Sequence, residues 1–226
     1  MKTVKKRKFK KKALFILLSF FVIFLITVFY LFNFHITNIY ISGNTMFSDQ
    51  EIIDMAKLSD YPRTLYNNEF AIKNRLEKNQ YIKRARIRKR NFLRTVYIDI
   101  LENKPLLINN NQTILKDGSI SKDKFNIPLL INKVSNEKLY NKLLNSLDLL
   151  DSDILERISE IKYDPNDVDK QRFLMFMSDG NHVYITLRKI ERINNYVEII
   201  SAFNSKKGIL YLDSGEYFEI FGGSNE

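Results

Sequence analysis

Apolar positions follow three rhythms along this chain, and each predicts a different kind of element. From Ala13 to Phe32 the apolar run is continuous, its only polar side chains being Ser19, Thr27 and Tyr30. Twenty helical residues at about 1.5 Å each span roughly 30 Å, the thickness of a bilayer's hydrocarbon, so residues 13–34 are expected to cross a membrane. A cleaved leader has a shorter apolar stretch, about 7 to 15 residues, ending at a small-x-small site. The exit here reads Tyr30, Leu31, Phe32, Asn33, Phe34, His35 and contains no small pair, which favours an uncleaved anchor.

The rhythm then shortens. Ile39 and Ile41 flank Tyr40 as a strand would, and Gly43-Asn44 supplies the turn. Ser48-Asp49-Gln50-Glu51 has the form of a capping box, predicting a short helix to about Lys57 on Ile52, Ile53 and Ala56. A second helix is expected from Asn67 or Asn68, with Ile72 and Leu76 on one face. Residues 81–102 read as two strands joined by a turn around Asn91, and in the second Val96, Ile98 and Ile100 alternate with Tyr97 and Asp99. In the first, Arg84, Arg86, Arg88 and Arg90 share one face by period two, with Ala85 and Ile87 on the other. Such a face reads as solvated and protective of a sheet edge, with contact to lipid headgroups or an acidic partner surface as the alternative.

Beyond Pro105 short strands dominate. Leu106 to Ile108 forms one, and "TILKDGSI" (113–120) reads as a hairpin turning on Asp117-Gly118. Leu139, Leu143, Leu147 and Leu150 predict a helix within residues 136–151. "ISEIKYDP" (158–165) is a strand entering a turn, and "RFLMFMSDGNHVYITL" (172–187) is a hairpin around Asp179-Gly180-Asn181. A helix is expected from about Arg188 to Phe203 on Ile190, Ile193, Val197 and Ile200, stopped by Gly208. "ILYL", a turn at Asp213-Ser214-Gly215 and "EYFEIF" follow as strands.

Charge changes the picture in one place. The formal net charge is +10, but eight bases lie before residue 13, leaving 28 of the 36 against 26 acids in the rest of the chain. The basic character is therefore local, which removes most of the case for nucleic-acid binding. By the positive-inside rule, residues 1–12 form a cytoplasmic tail and the chain after the helix is extracytoplasmic. The absence of cysteine excludes disulfides, thiolate metal sites and thiol nucleophiles.

Taken in order, these residues resemble the FtsQ/DivIB family of bacterial division proteins. Ile41-Ser42-Gly43-Asn44 after a membrane helix, then Ala85-x-Ile87, Thr95-Val96-x-Ile98-x-Ile100-x-Glu102 and Pro105, are similar to its POTRA domain. Ile127-Pro128-x-Leu130, Ser159-Glu160-Ile161, Asp179-Gly180-Asn181-x-Val183 and Gly215-x-Tyr217-Phe218 are similar to its β domain. Two positions depart: Leu93 stands where the family usually has proline before the last POTRA strand, and Tyr211 where it usually has an acid.

Residues suited to catalysis do not assemble on paper. Ser178, Asp179 and His182 sit within one tight hairpin, which cannot present a nucleophile, base and acid from separate elements. The acidic run from Asp164 to Asp169 lacks the glycine and distal glutamate of a calcium loop and reads as a turn. Asp148, Asp151, Asp153 and Glu156 read as a solvated helix end.

The expected protein is α+β: a basic tail (1–12), a transmembrane helix (13–34), a β-α-α-β-β POTRA domain (35–103) and a mainly antiparallel β domain with two packed helices (104–226). It is read as no enzyme and as needing no cofactor. The resemblance implies a single-pass scaffold of the division machinery, enriched at the septum. It would bind FtsL/DivIC-type bitopic proteins and, through them, the septal transpeptidase and peptidoglycan synthase. The alternatives are a POTRA-bearing part of another envelope assembly or secretion system, or an anchored cell-wall enzyme. By the same resemblance the partner-binding strand is Tyr217, Phe218, Glu219, Ile220 and Phe221.

Overall fold

The computed structural model describes residues 11–203 and 206–222, so most of the basic tail lies outside the described residues. Helix α1 (Lys11–Asn33) runs 23 residues, about 35 Å at 1.5 Å per residue, enough to cross a bilayer. Its large apolar side chains from Leu14 to Ile26, with Phe29, Tyr30 and Phe32, are exposed. Its hydroxyls bond back one turn, Ser19 Oγ to the Phe15 carbonyl and Thr27 Oγ1 to that of Ile23, so neither enters an apolar medium unpaired. The chain divides into two compact units, residues 1–102 and 103–226.

The first unit carries β1 (Asn38–Ser42), α2 (Asp49–Ala56), α3 (Glu69–Leu76), β2 (Ile82–Arg90) and β3 (Thr95–Glu102). The expected strand-helix-helix-strand-strand order is present. β3 lies between β1, which is parallel to it, and β2, which is antiparallel. The alternating isoleucines and valine of β3 face Ile52, Ala56, Ile72 and Leu76 from the helices, all buried. Ser48 and Glu51 make the capping box, and Asn68 caps α3 by accepting from Ala71 N at 2.7 Å. Gly43 has φ +83°, and a Cβ there would lie 2.1 Å from the Ile100 carbonyl oxygen. Glycine is required at that turn.

The departure at Leu93 has a visible consequence. Asn91, Phe92 and Leu93 all adopt positive φ, at 51°, 54° and 66°. Proline is locked near −65°, so this left-handed turn excludes it.

The second unit carries β4 (Pro105–Asn109), β5 (Gln112–Leu115), β6 (Ile120–Ser121), β7 (Leu129–Leu130), α4 (Glu137–Leu147), α5 (Ser152–Arg157), β8 (Ile158–Tyr163), β9 (Arg172–Met177), β10 (His182–Thr186), α6 (Tyr196–Ser201), β11 (Gly208–Tyr211) and β12 (Tyr217–Ile220). One sheet runs in the order β12-β11-β10-β9-β8-β7-β4-β5-β6. Its pairings are antiparallel except β4 with β7, β7 with β8, and β10 with β11. Phe173, Met175, Val183, Ile185 and Leu210 face a core completed by Leu143, Leu147, Ile190 and Ile193.

Five expectations need correction. The leucine stripe of 136–151 is not one helix: α4 ends at Leu147, and Leu149 N and Leu150 N bond three residues back, to Ser146 and Leu147. Leu150 is still buried. Asp148 is no solvated helix end, because it pairs with Lys116. The helix expected from Arg188 is instead 3-10 over Leu187–Asn195, broken at Lys189, whose φ of −118° and ψ of 16° are not helical, and followed by α6. Leu187, Ile190, Ile193 and Tyr196 are its buried residues, recurring at every third position. Val197, expected in the core, is 47% exposed. Gly208, expected as a helix stop, begins β11.

Candidate docking edge

β12 forms one end of the nine-stranded sheet, so one of its sides has no neighbour among the described residues. Its pairing with β11 is antiparallel: Gly208 with Ile220, Ile209 with Glu219, Leu210 with Phe218, Tyr211 with Tyr217. Phe221 N donates to the Lys207 carbonyl at 2.9 Å, which sets the phase of the ladder. Since hydrogen-bonded pairs alternate in antiparallel strands, Tyr217, Glu219 and Phe221 turn their amides inward and Phe218 and Ile220 turn theirs to the open side. The side chains divide differently. Phe218 packs on the core, its ring tilted against that of Phe203 at 4.5 Å, while Tyr217, Glu219, Ile220 and Phe221 are exposed. The expected partition of the strand into two faces is present, but Ile220 stays 37% exposed at the rim.

The face bearing Tyr217 continues across the sheet as a ladder. Tyr217 stacks on Tyr211 at 4.4 Å, Tyr211 on Tyr184 at 5.4 Å, and the Arg172 guanidinium lies 3.6 Å above the Tyr184 ring. Arg172 Nε donates to Asp213 and its Nη1 to Asp164, at 2.7 and 2.9 Å. Burial pushes the Asp213 carboxyl up, but the Arg172 bond and the Ser214 amide outweigh it and hold the group below the usual carboxylate range. Parallel to this ladder, His182 lies edge-on between Phe176 at 4.7 Å and Phe221 at 5.0 Å.

Tyr211 donates its hydroxyl to Glu219 at 3.0 Å and so ties β11 to β12. Burial, then that carboxylate, push its phenol up to about 12. A raised acid pKa contributes stability that is present below the unfolded value of 10.0 and lost as pH climbs toward 12. Phenolate absorbance titrated against unfolding is expected to show the loss in that window, and Tyr211→Phe to reduce it.

The start of β11 is held from inside. Asn181 is fully buried; its Oδ1 accepts from Gly208 N at 3.0 Å, and its amide donates to the Tyr196 hydroxyl at 2.9 Å. That hydroxyl donates to Asp179 at 2.8 Å. The Asp179-Gly180-Asn181 turn thus fixes where β11 begins. Gly208 permits the fit: a Cβ there would meet the Glu219 carbonyl oxygen at 2.0 Å.

The other candidates are placed apart. Asp179 is engaged with Tyr196 and Asn181, while the His182 ring is enclosed by phenyl groups, so Ser178, Asp179 and His182 form no relay. The run from Asp164 is a turn organised by Asn166 Oδ1, which accepts from Val168 N and Asp169 N. Arg84, Arg86, Arg88 and Arg90 are exposed on β2, an edge strand, and Arg88 pairs with Asp99 at 2.8 Å. The residue that sequence reasoning left without a role is Glu102. Buried at 4% exposure, it accepts from the amides of Thr45, Met46 and Phe47 and from the Thr45 hydroxyl.

Comparison with known proteins gives these features a context. The FtsQ-type POTRA domain family matches residues 34–103. The cell division protein DivIB of Bacillus subtilis is 27% identical over all of this chain and 90% of its own length. DivIB of Listeria monocytogenes is 27% identical over 95% and 86% respectively. The solved extracytoplasmic domain of DivIB from Geobacillus stearothermophilus aligns at TM-score 0.38 and 21% identity, covering 46% of this chain and 96% of that one.

Proposed function

We propose that this chain, a member of the FtsQ/DivIB family of cell division proteins, is a membrane-anchored scaffold that captures partner proteins by adding their strands to β12. The observation that carries the reading is the open side of β12, where the Phe218 and Ile220 amides and carbonyls face outward beside an aromatic ladder. A segment that pairs there gains main-chain hydrogen bonds, and Tyr217, Glu219 and Phe221 supply side-chain selectivity. Two of the other edges are less suited, while β1 also keeps one open side. β2 carries the four arginines and a bulge between Ile82 and Arg84, both devices that discourage pairing, and β6 has two residues. The partners would be FtsL/DivIC-type bitopic proteins, and through them the septal transpeptidase and peptidoglycan synthase. Confinement of all of them to one membrane raises their effective concentration, so modest pairwise affinities suffice.

The experiment is to follow a fluorescent fusion of the full chain in growing cells, as wild type and as Ile220→Pro. Proline at Ile220 removes an outward amide and leaves the inward bonds to β11 intact. The wild type is expected as a midcell band that appears with the septum, and the variant to lower partner affinity by about tenfold or more, or 1.4 kcal/mol. A uniform peripheral signal from the wild type in dividing cells would contradict the division role.

A further inference from the structure

The end of the first unit nearest α1 exposes apolar side chains that the fold itself does not use. Two loops are fastened to the chain where it leaves the helix. Thr64 N donates to the Phe34 carbonyl at 2.8 Å and Ile36 N to that of Pro62 at 2.9 Å, while Thr37 N donates to the Arg94 carbonyl at 2.9 Å. Thr64 Oγ1 joins the loops by donating to the Leu93 carbonyl at 3.1 Å. Since α1 ends at Asn33, these bonds hold both loops within a few residues of the bilayer exit.

On the loops, Tyr61 is 70% exposed, Tyr66 59%, Phe92 90% and Leu93 52%. Phe34, Leu65, Phe92 and Leu93 line an open groove of about 420 Å³. The tip at Asn91 to Leu93 holds three consecutive positive φ angles outside glycine, a conformation that costs about 1 kcal/mol or more per residue, and it presents its largest ring to solvent. Arg63, Arg90 and Arg94 surround the patch, are exposed, and form no ion pair among the described residues. Lys89 is occupied with the Thr64 carbonyl, and the acids at this end are Asp60 and Glu69, the latter accepting from Lys89 N.

We infer that this end of the unit is a lipid-docking surface: Tyr61, Leu65, Phe92 and Leu93 enter the interfacial layer of the outer leaflet, and Arg63, Arg90 and Arg94 meet the phosphates of anionic lipids. The occupant follows from continuity, because the same backbone that carries the loops enters the membrane at Asn33. It also follows from chemistry, since aromatic rings and arginines are the side chains that settle at the headgroup level. Single exposed apolar residues are ordinary on a protein surface, but a cluster ringed by unpaired cations at a membrane exit is not. The docking would restrict the tilt of the unit about the anchor. It does not depend on what β12 binds.

The absence of cysteine makes the test clean. The full chain is reconstituted in nanodiscs containing phosphatidylglycerol, with a nitroxide on Phe92→Cys, on Tyr61→Cys or on Val168→Cys, the last a residue 94% exposed in the second unit. Relaxation by oxygen, which partitions into lipid, is compared with relaxation by a water-soluble nickel chelate. The oxygen-to-nickel ratio at 92 and 61 is expected to exceed that at 168 several-fold, and to fall in discs of phosphatidylcholine alone. Equal nickel access at 92, 61 and 168 would overturn the inference. Exclusion of both reagents from 92 and 61 would overturn it too, since that marks a protein contact. A ratio unaffected by lipid charge would remove the three arginines from the proposal.

Discussion

Valine in place of Gly208 is expected to detach the last strand and abolish partner capture while leaving the first unit folded. The first added atom would lie 2.0 Å from the Glu219 carbonyl oxygen and 2.8 Å from the Phe218 ring, and neither the strand backbone nor the packed ring can withdraw cheaply. Overpacking in a well-filled site costs about 1 to 3 kcal/mol, and a clash with paired backbone belongs at the upper end. The interaction lost is the β11–β12 ladder, which rests on four residue pairs and has no neighbour on its far side. Amide exchange across β11 and β12 reads the detachment directly. Unchanged protection of Ile209 and Glu219 in the variant would show that the close approach is not needed.

Glu102→Ala is expected to destabilise the first unit by about 2 to 3 kcal/mol, because it removes a buried acceptor and leaves several part-buried donors unmatched. The carboxylate takes bonds of 2.9 Å from Thr45 N and Met46 N, 3.3 Å from Phe47 N and 2.7 Å from the Thr45 hydroxyl. It thereby closes the loop between Gly43 and the α2 cap onto the end of β3. Glu102→Gln keeps one acceptor oxygen and is expected to cost less than the alanine. Urea unfolding of the full chain in detergent checks this: the midpoint of the first transition should fall with little change in slope. An alanine variant as stable as wild type would mean that water replaces the carboxylate at no cost.

Much of the architecture was legible because it rests on local patterns. The capping box at Ser48, the alternation in β3 and the Asp179-Gly180-Asn181 hairpin each declare themselves within a few residues. Where the reading failed, two periods competed or distant residues decided. Ile190 and Ile193 fit both a 3.6 and a 3.0 rhythm, and nothing in the sequence marks the non-helical break at Lys189. Gly208 looked like a helix stop because lysines precede it, yet its smallness answers to Glu219 and Asn181. Glu102 stood in a recognisable pattern, but its partners lie more than fifty residues earlier and nothing near it announces them. For the candidate site, the strand was identified through a resemblance; its edge position, the outward amides and the tyrosine ladder follow from sheet order, which one sequence does not display.

The most direct test of the account is residue-resolved amide exchange of the full chain with and without the extracytoplasmic segments of a DivIC-type and an FtsL-type partner. Strand addition is expected to protect Phe218 and Ile220, whose amides face the open side, while Glu219 and Phe221, already bonded to β11, change little. Partner binding that leaves Phe218 and Ile220 exchanging as before would contradict the docking edge and move the interface elsewhere on the protein.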